Sequence, residues 1–138
     1  MDGYVYVGLR APIDDDIHFL AEHPEIQVHS MRSVIQRGIP AIAEDVILRL
    51  SRFKNVYITW DVDSLDPAYA PGTGTPNAGG LTTRELLDLF RRVVPALNVR
   101  AMDIVEISPP LDHADMTSWV AIKVILETFG MLQEKWKS

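Results

Sequence analysis

Cysteine is absent from the 138 residues, which excludes a disulfide framework and any thiolate metal site. A metal bound here must therefore be held by oxygen and imidazole. Basic charge is sparse as well. The 13 Lys and Arg are scattered among 19 Asp and Glu, and a net charge of -6 argues against a nucleic-acid partner, because phosphate binding wants clustered cations. No apolar run approaches the roughly 20 residues that span a bilayer. Met1-Asp2-Gly3 leads into a β-rich run rather than a targeting segment, so a cytoplasmic location is expected. Internal repeats, low-complexity tracts and evident linkers are missing too.

What is present suits a globular chain. With 47% hydrophobic and 23% charged residues, it can bury a core and is expected to form a single α/β domain over 1–138. Tyr4 to Leu9 is a continuous β-rich run of the kind covered on both faces in a parallel sheet. Asp14-Asp15-Asp16 has the chemistry of a metal cluster but is read as a solvated helix start, where carboxylates suit the dipole. Ile26 to His29 suits a short strand, and Met31 to Arg37 a helical turn ended by Gly38. From Pro40, the spacing of Ile42, Val46, Leu50 and Phe53 predicts a helix with one apolar stripe. A strand, Val56–Trp60, follows. Thr82 and Glu85 make a capping box, with Leu81 placed to staple onto Leu86, and predict a helix to about Val94, where Pro95 ends it. Val99 to Ile107 reads as a strand, Ser108-Pro109-Pro110 as a break, and Thr117 to about Lys135 as a final helix. Its stripe of Trp119, Ile122, Leu126, Phe129 and Leu132 is expected in the core. This alternation predicts βαβ units and a three-layer α/β/α arrangement around a parallel sheet, with strands Tyr4–Leu9, Val56–Trp60 and Val99–Glu106.

Asp61 and Asp63 follow the Val56–Trp60 run at i and i+2, so on an extended chain they point the same way. Two carboxylates side by side repel each other and are costly to desolvate, which calls for a cation, a shared proton or water. A hard metal ion is the simplest compensation. In the loop that follows, glycines at 72, 74, 79 and 80 permit close approach to a ligand while prolines at 67, 71 and 76 add stiffness. It is no phosphate cradle, since no lysine accompanies the glycines and no helix opens on them as in a P-loop. Ligands of open parallel sheets bind beyond the carboxyl ends of the strands, where Asp61, Asp63 and Glu106 all fall. Asp66, before Pro67, suits a turn; Asp103 is open between a supporting and a structural acid. His18, His23, His29 and His113 match no metal pattern, though His113 stands near enough to Glu106 in sequence to border a pocket.

The run Thr59-Trp60-Asp61-Val62-Asp63-Ser64-Leu65-Asp66-Pro67, continuing through Ala70-Pro71-Gly72-Thr73-Gly74-Thr75-Pro76 to Gly79-Gly80-Leu81-Thr82, closely resembles a signature of the ureohydrolases, the arginase and agmatinase family. Asp103-Ile104-Val105-Glu106-Ile107-Ser108-Pro109 is similar to that family's next segment. The resemblance implies an arginase-like fold of which this is the C-terminal portion. It also implies a binuclear manganese (Mn²⁺) site that activates water, with Asp61 and Asp63 as metal ligands. Glu106 falls on the carboxylate that pairs with the substrate guanidinium, and Thr75 lies beside it. Pro71-Gly72 is more like the agmatinase branch. Family chains are longer, and their glycine-aspartate-histidine segment and aspartate-histidine cluster do not occur here. Two carboxylates offset only half the charge of two divalent ions, so the resemblance implies half an active site.

The expected function is hydrolysis of a linear, agmatine-like guanidino compound to urea and an amine. The chain would act in a homo-oligomer or in a complex with a chain carrying the missing ligands, and alone is expected to be inactive. Two other readings stay open. One is a non-catalytic ureohydrolase-like partner subunit. The other is an Asp-x-Asp magnesium phosphatase, which wants a threonine where Leu65 stands and leaves Glu106 unexplained.

Overall fold

β-rich runs alternate with capped amphipathic segments, and the computed structural model, which describes residues 3–137, turns them into strands and helices in that order. They are β1 (Val5–Leu9), α1 (Asp14–Glu22), β2 (Gln27–Ser30), α2 (Met31–Leu50), β3 (Val56–Asp61), α3 (Thr83–Ala96), β4 (Val99–Val105) and α4 (Met116–Lys137). Short 3₁₀ turns follow β3 at Val62–Ser64 and precede α4 at Pro109–Leu111. Met1 and Asp2, read above as leading into a strand, lie outside the described residues.

Pairing is parallel throughout, as the βαβ alternation predicts. β1 lies in register with β2 from Val5↔Gln27, and β3 with β4 from Val56↔Val99 to Asp61↔Val105. Among the described residues these are two separate two-stranded ladders. They share one buried cluster, to which α2 gives Val34, Ile42 and Val46, β3 gives Val56 and Trp60, and α3 gives Leu86, Phe90 and Val94. Trp60 meets Phe90 edge to face with centroids 6.3 Å apart.

The helix signals act as their chemistry predicts. Ser30 Oγ accepts from Ser33 N–H at the start of α2, and Gly38 at φ 78° breaks that helix ahead of Pro40. Thr82 Oγ1 accepts from Glu85 N–H at 3.1 Å while Glu85 Oε2 accepts from Thr82 N–H at 2.8 Å. Leu81 and Leu86 are both buried beside this box. Asp14–Asp16 form the exposed first turn of α1, as a solvated start requires.

Two expectations are corrected. Pro95 does not end α3 at Val94. It sits inside the last turn, and Leu97 N–H closes that turn on the Val93 carbonyl at 3.0 Å. The stripe expected in the core from α4 faces outward instead: Trp119 is 65% exposed, Leu126 63% and Phe129 65%, with Ile122 exposed and only Leu132 partly buried. The buried face is the neighbouring one, Thr117, Ala121, Val124 and Thr128. Its small side chains let α4 approach α3 closely, and Arg91 of α3 ties Glu127 of α4 at 3.0 Å. α4 is apolar on two faces, and periodicity alone cannot choose between them. The β3–β4 face bearing Tyr57, Thr59, Ala101 and Val105 is also exposed.

His29 generates a test of the fold. Only 4% exposed in β2, it lies 2.9 Å from the Gln27 amide and 4.0 Å from Asp45. Burial holds its pKa below the ordinary 6.5; Asp45 opposes that shift and Arg37 adds to it. With the folded pKa depressed, the unfolded chain takes up a proton first, so stability falls as pH drops through about 6.5. The melting temperature should decline between about pH 6.5 and 5. His29→Gln should flatten that slope, and an unchanged slope would place its cause elsewhere.

Candidate functional site

β3 delivers its carboxyl end into a turn rather than into further strand, and this turn, not β alternation, brings Asp61 and Asp63 together. Asp61 is the last residue of β3 and caps the 3₁₀ turn that holds Asp63. Its Oδ1 accepts from Asp63 N–H at 2.9 Å, and its carbonyl accepts from Ser64 Oγ at 2.6 Å. Ser64 Oγ in turn accepts from the buried Trp60 indole at 3.1 Å, so the core holds the turn. Burial pushes the Asp61 carboxyl above its ordinary range. The Asp63 N–H pulls the other way, and the negative charges of Asp63 and Glu106 push it further up. Three acids therefore share one field at the end of the strands.

Glu106 arrives from β4. It stands one residue past the strand with φ 65°, a left-handed conformation that few non-glycine residues adopt. A Cβ at Gly74 would lie 3.8 Å from its Oε2, so the loop after β3 passes over the carboxylate. Thr75 Oγ1 donates to Asp63 Oδ2 at 2.8 Å. The structure thus brings Asp61, Asp63, Thr75 and Glu106 to one edge, with Thr75 holding Asp63.

The loop is closed on itself. Leu81 N–H donates to the Ser64 carbonyl and Asp66 N–H to the Leu81 carbonyl, both at 2.9 Å, making a parallel bridge of Leu65 with Leu81. Asp66 sets the turn as expected: its carboxylate accepts from Ala68 N–H at 2.9 Å and Gly79 N–H at 2.7 Å, and these bonds hold its pKa low. Gly72 is pinned between elements, donating to Thr117 Oγ1 at 2.7 Å and accepting from Ser108 N–H at 2.8 Å.

Sequence reasoning missed Asp112. Its carboxylate accepts from Thr117 N–H at 3.1 Å, Thr117 Oγ1 at 2.8 Å, His113 N–H at 2.9 Å and Ser118 N–H at 3.2 Å. Burial raises its pKa, but these bonds outweigh burial and hold it low. It caps α4 and, through Thr117, anchors Gly72. Its signal was a carboxylate shortly before a helix containing Thr117 and Ser118. Asp103 resolves as structural, held by the hydroxyls of Thr59 and Tyr57 on the open face of the sheet.

The donor set suits a hard cation in kind, since carboxylate oxygens converge where like charges already repel. It does not suit one in number. Among the described residues no group of three or more His, Asp or Glu is placed to hold a metal ion, and the histidines do not join the pair. Thr73, in the same loop, is 1% exposed with its hydroxyl unpartnered.

Comparison with known proteins agrees with this fold. The arginase family model matches residues 1–130. An agmatinase of Proteus mirabilis is 50% identical over 126 residues, which are 89% of this chain and 37% of that protein. The bovine protein named "Arginase-2, mitochondrial" is 35% identical over 136 residues, 94% of this chain and 38% of its own. The arginase of Bacillus caldovelox superposes with a TM-score of 0.86 at 33% identity, covering 91% of this chain and 42% of that one. The chain thus spans about two fifths of the relatives it matches.

The loop closure generates a test. A Cβ at Gly80 would lie 2.5 Å from both Asp66 N and Leu65 C; these are backbone atoms that cannot swing aside. Gly80→Ala should cost about 1 to 3 kcal/mol, read from urea unfolding. A change indistinguishable from zero would mean that the bridge of Leu65 with Leu81 does not fix the loop.

Proposed function

Since the chain belongs to the arginase family, we propose that it supplies one part of a ureohydrolase site, acting on a linear guanidino compound of the agmatine type to release urea and an amine. The observation that carries this reading is the meeting of Asp61, Asp63 and Glu106 at the carboxyl ends of β3 and β4. The 50% identity to an agmatinase supports the substrate branch.

Asp61 and Asp63 are the residues of this chain that would hold the manganese ions. When bound, such ions lower the pKa of a water so that hydroxide is available near neutral pH. Two divalent ions bring four positive charges, against which this pair sets two negative ones, so the remaining ligands come from polypeptide outside this chain. Thr75 fixes the Asp63 carboxylate and lies beside the position of the guanidinium. Glu106 pairs with the delocalised cation, holding its carbon against the carboxylate edge. We place the protein in the cytoplasm on the sequence reading alone; that no helix among the described residues is long and apolar enough to cross a membrane is compatible with this. It works there in an assembly, either a homo-oligomer or a complex with the missing part.

Two outcomes test the reading. In calorimetric titration the isolated chain should bind Mn²⁺ weakly, because two ligands without surrounding support fall short of a closed site. Tight binding of two ions per chain would show that the ligand set is complete after all. With the missing part supplied, urea release should appear. Glu106→Gln should then lower it by roughly 30-fold to several thousand-fold, the kinetic equivalent of about 2 to 5 kcal/mol for unpairing a buried charge. Metal content should hold steady in that variant, whereas Asp61→Ala or Asp63→Ala should lose metal and activity together. A metal-replete complex without urea release would instead identify a non-catalytic subunit.

A further inference from the structure

Glu106 leaves the β3–β4 ladder just after Val105, which lies in register with Asp61. Shortly beyond it, Ser108 N–H donates to the Gly72 carbonyl at 2.8 Å. The exposed Glu106 carboxylate is therefore placed by backbone held on both sides. Its left-handed conformation, at φ 65°, persists only while the surrounding structure imposes it. Gly72 governs the facing side of the edge as well. Gly72 and Thr73 are buried, whereas Gly74 and Thr75 are exposed. The part of the loop that passes over Glu106 and bonds Asp63 thus depends on a buried anchor.

That anchor ends on a charge. Gly72 N–H donates to Thr117 Oγ1 at 2.7 Å, and Thr117 Oγ1 donates to Asp112 Oδ1 at 2.8 Å. A threonine hydroxyl carries a single proton. Given to Asp112, it leaves the lone pairs for Gly72, and a hydroxyl that donates to an ionised carboxylate is the stronger acceptor. Thr117 is 0% exposed, so bulk water cannot stand in for either bond. Capping α4 uses the Thr117 and Ser118 N–H groups. The hydroxyl link is additional to that cap, and it is the part that leaves the helix and reaches the loop.

We propose that Asp112 is a positioning residue for the carboxylate that meets the guanidinium: through the Thr117 hydroxyl and Gly72 it sets Glu106 and Thr75 against Asp61 and Asp63. This rests on the reading above that those four residues serve a ureohydrolase site. Asp112 acts on them only through the backbone of the loop and of the segment after β4. A carboxylate is required there because a neutral group would leave the Thr117 hydroxyl a weaker acceptor for a buried N–H. Glycine is required at 72 because Asp112 Cβ and Cγ stand 2.6 Å from where a Cβ on that residue would lie.

The link separates from the cap in Thr117→Val, which keeps the shape and both capping N–H groups but removes the hydroxyl. Gly72 N–H is then buried without an acceptor, and hydrogen exchange at the Gly72 and Ser108 amides of the full chain should quicken by roughly 10- to 100-fold. Asp112→Asn, which keeps an acceptor oxygen and removes the charge, should move both amides the same way by less. Thr117→Ser should restore the original rates, and Ala121→Gly, which weakens α4 away from the loop, should leave them as they are. Supplied with the unmatched part of the Proteus mirabilis agmatinase, the Thr117→Val chain should show kcat/KM for agmatine lowered by roughly 10-fold at unchanged manganese content, with Thr117→Ser again restoring it. Unaltered exchange at Ser108 in Thr117→Val, the same exchange change in Ala121→Gly, or full urea release by the Thr117→Val complex would each overturn the proposal. If even the unaltered complex released no urea while the exchange pattern held, the assigned reaction would fall and the placement of Glu106 by Asp112 would stand.

Discussion

Repulsion between Asp61 and Asp63 is the constraint on which the rest of this region depends. Burial together with the charges of Asp63 in the same turn and of Glu106 raises the cost of ionising Asp61. A fold that sought only stability would have no reason to gather them at a strand end. The surroundings hold the pair in place rather than neutralising it. The Asp63 N–H and the Thr75 hydroxyl each bond one member. Trp60 and Ser64 fasten the turn to the core, and the guanidinium of Arg10 is spent on backbone carbonyls rather than on either carboxylate. What results is a rigid, undercompensated anionic edge, the arrangement that suits a hard cation.

Rigidity of the loop after β3 comes from backbone closure more than from its prolines. The Leu65–Leu81 bridge seals its base, Asp66 spans its interior, and Gly72 and Gly80 allow approaches that a side chain would block. At Gly72 the obstacle would be Asp112, at 2.6 Å. That contact links the loop to the start of α4. Because Ser108 N–H also reaches the Gly72 carbonyl, the segment carrying Glu106 and the loop covering it are fixed to each other. Relative placement of Glu106 and the aspartates thus depends on residues that touch neither.

Much of this was legible in the sequence, for physical reasons. Capping chemistry is local, so the Thr82–Glu85 box marked the start of α3 correctly, and Gly38 marked a true break. Parallel pairing followed from strands separated by helices. The pairing of Asp61 with Asp63 was legible too, but for another reason than the one that operates, since a 3₁₀ turn replaces extended alternation. Three features were hidden. Pro95 fits in a last turn whose neighbours tolerate it. Asp112 acts through tertiary bonds to the loop that no short window contains. α4 carries apolar residues on two faces, and only the packing of α3 decides that Ala121 and Val124 are covered while Trp119 and Phe129 are bare.

The bare surfaces and the short ligand set lie in a meaningful relation. An apolar helix face, an open sheet face and two unpaired strand edges each cost free energy in water, and no described residue of this chain covers them. The donor set at the end of β3 is short of ligands by an independent count. In a parallel sheet, groups that share a site do so because their strands end side by side. β3 and β4 end together, which is how Asp61 and Glu106 come to one edge. Asp61 and Asp63 therefore sit where further ligands could reach them without rearranging the loop. The carboxylates are thus held in place by the end of the ladder and the closed loop, while their charge is left for another group to balance.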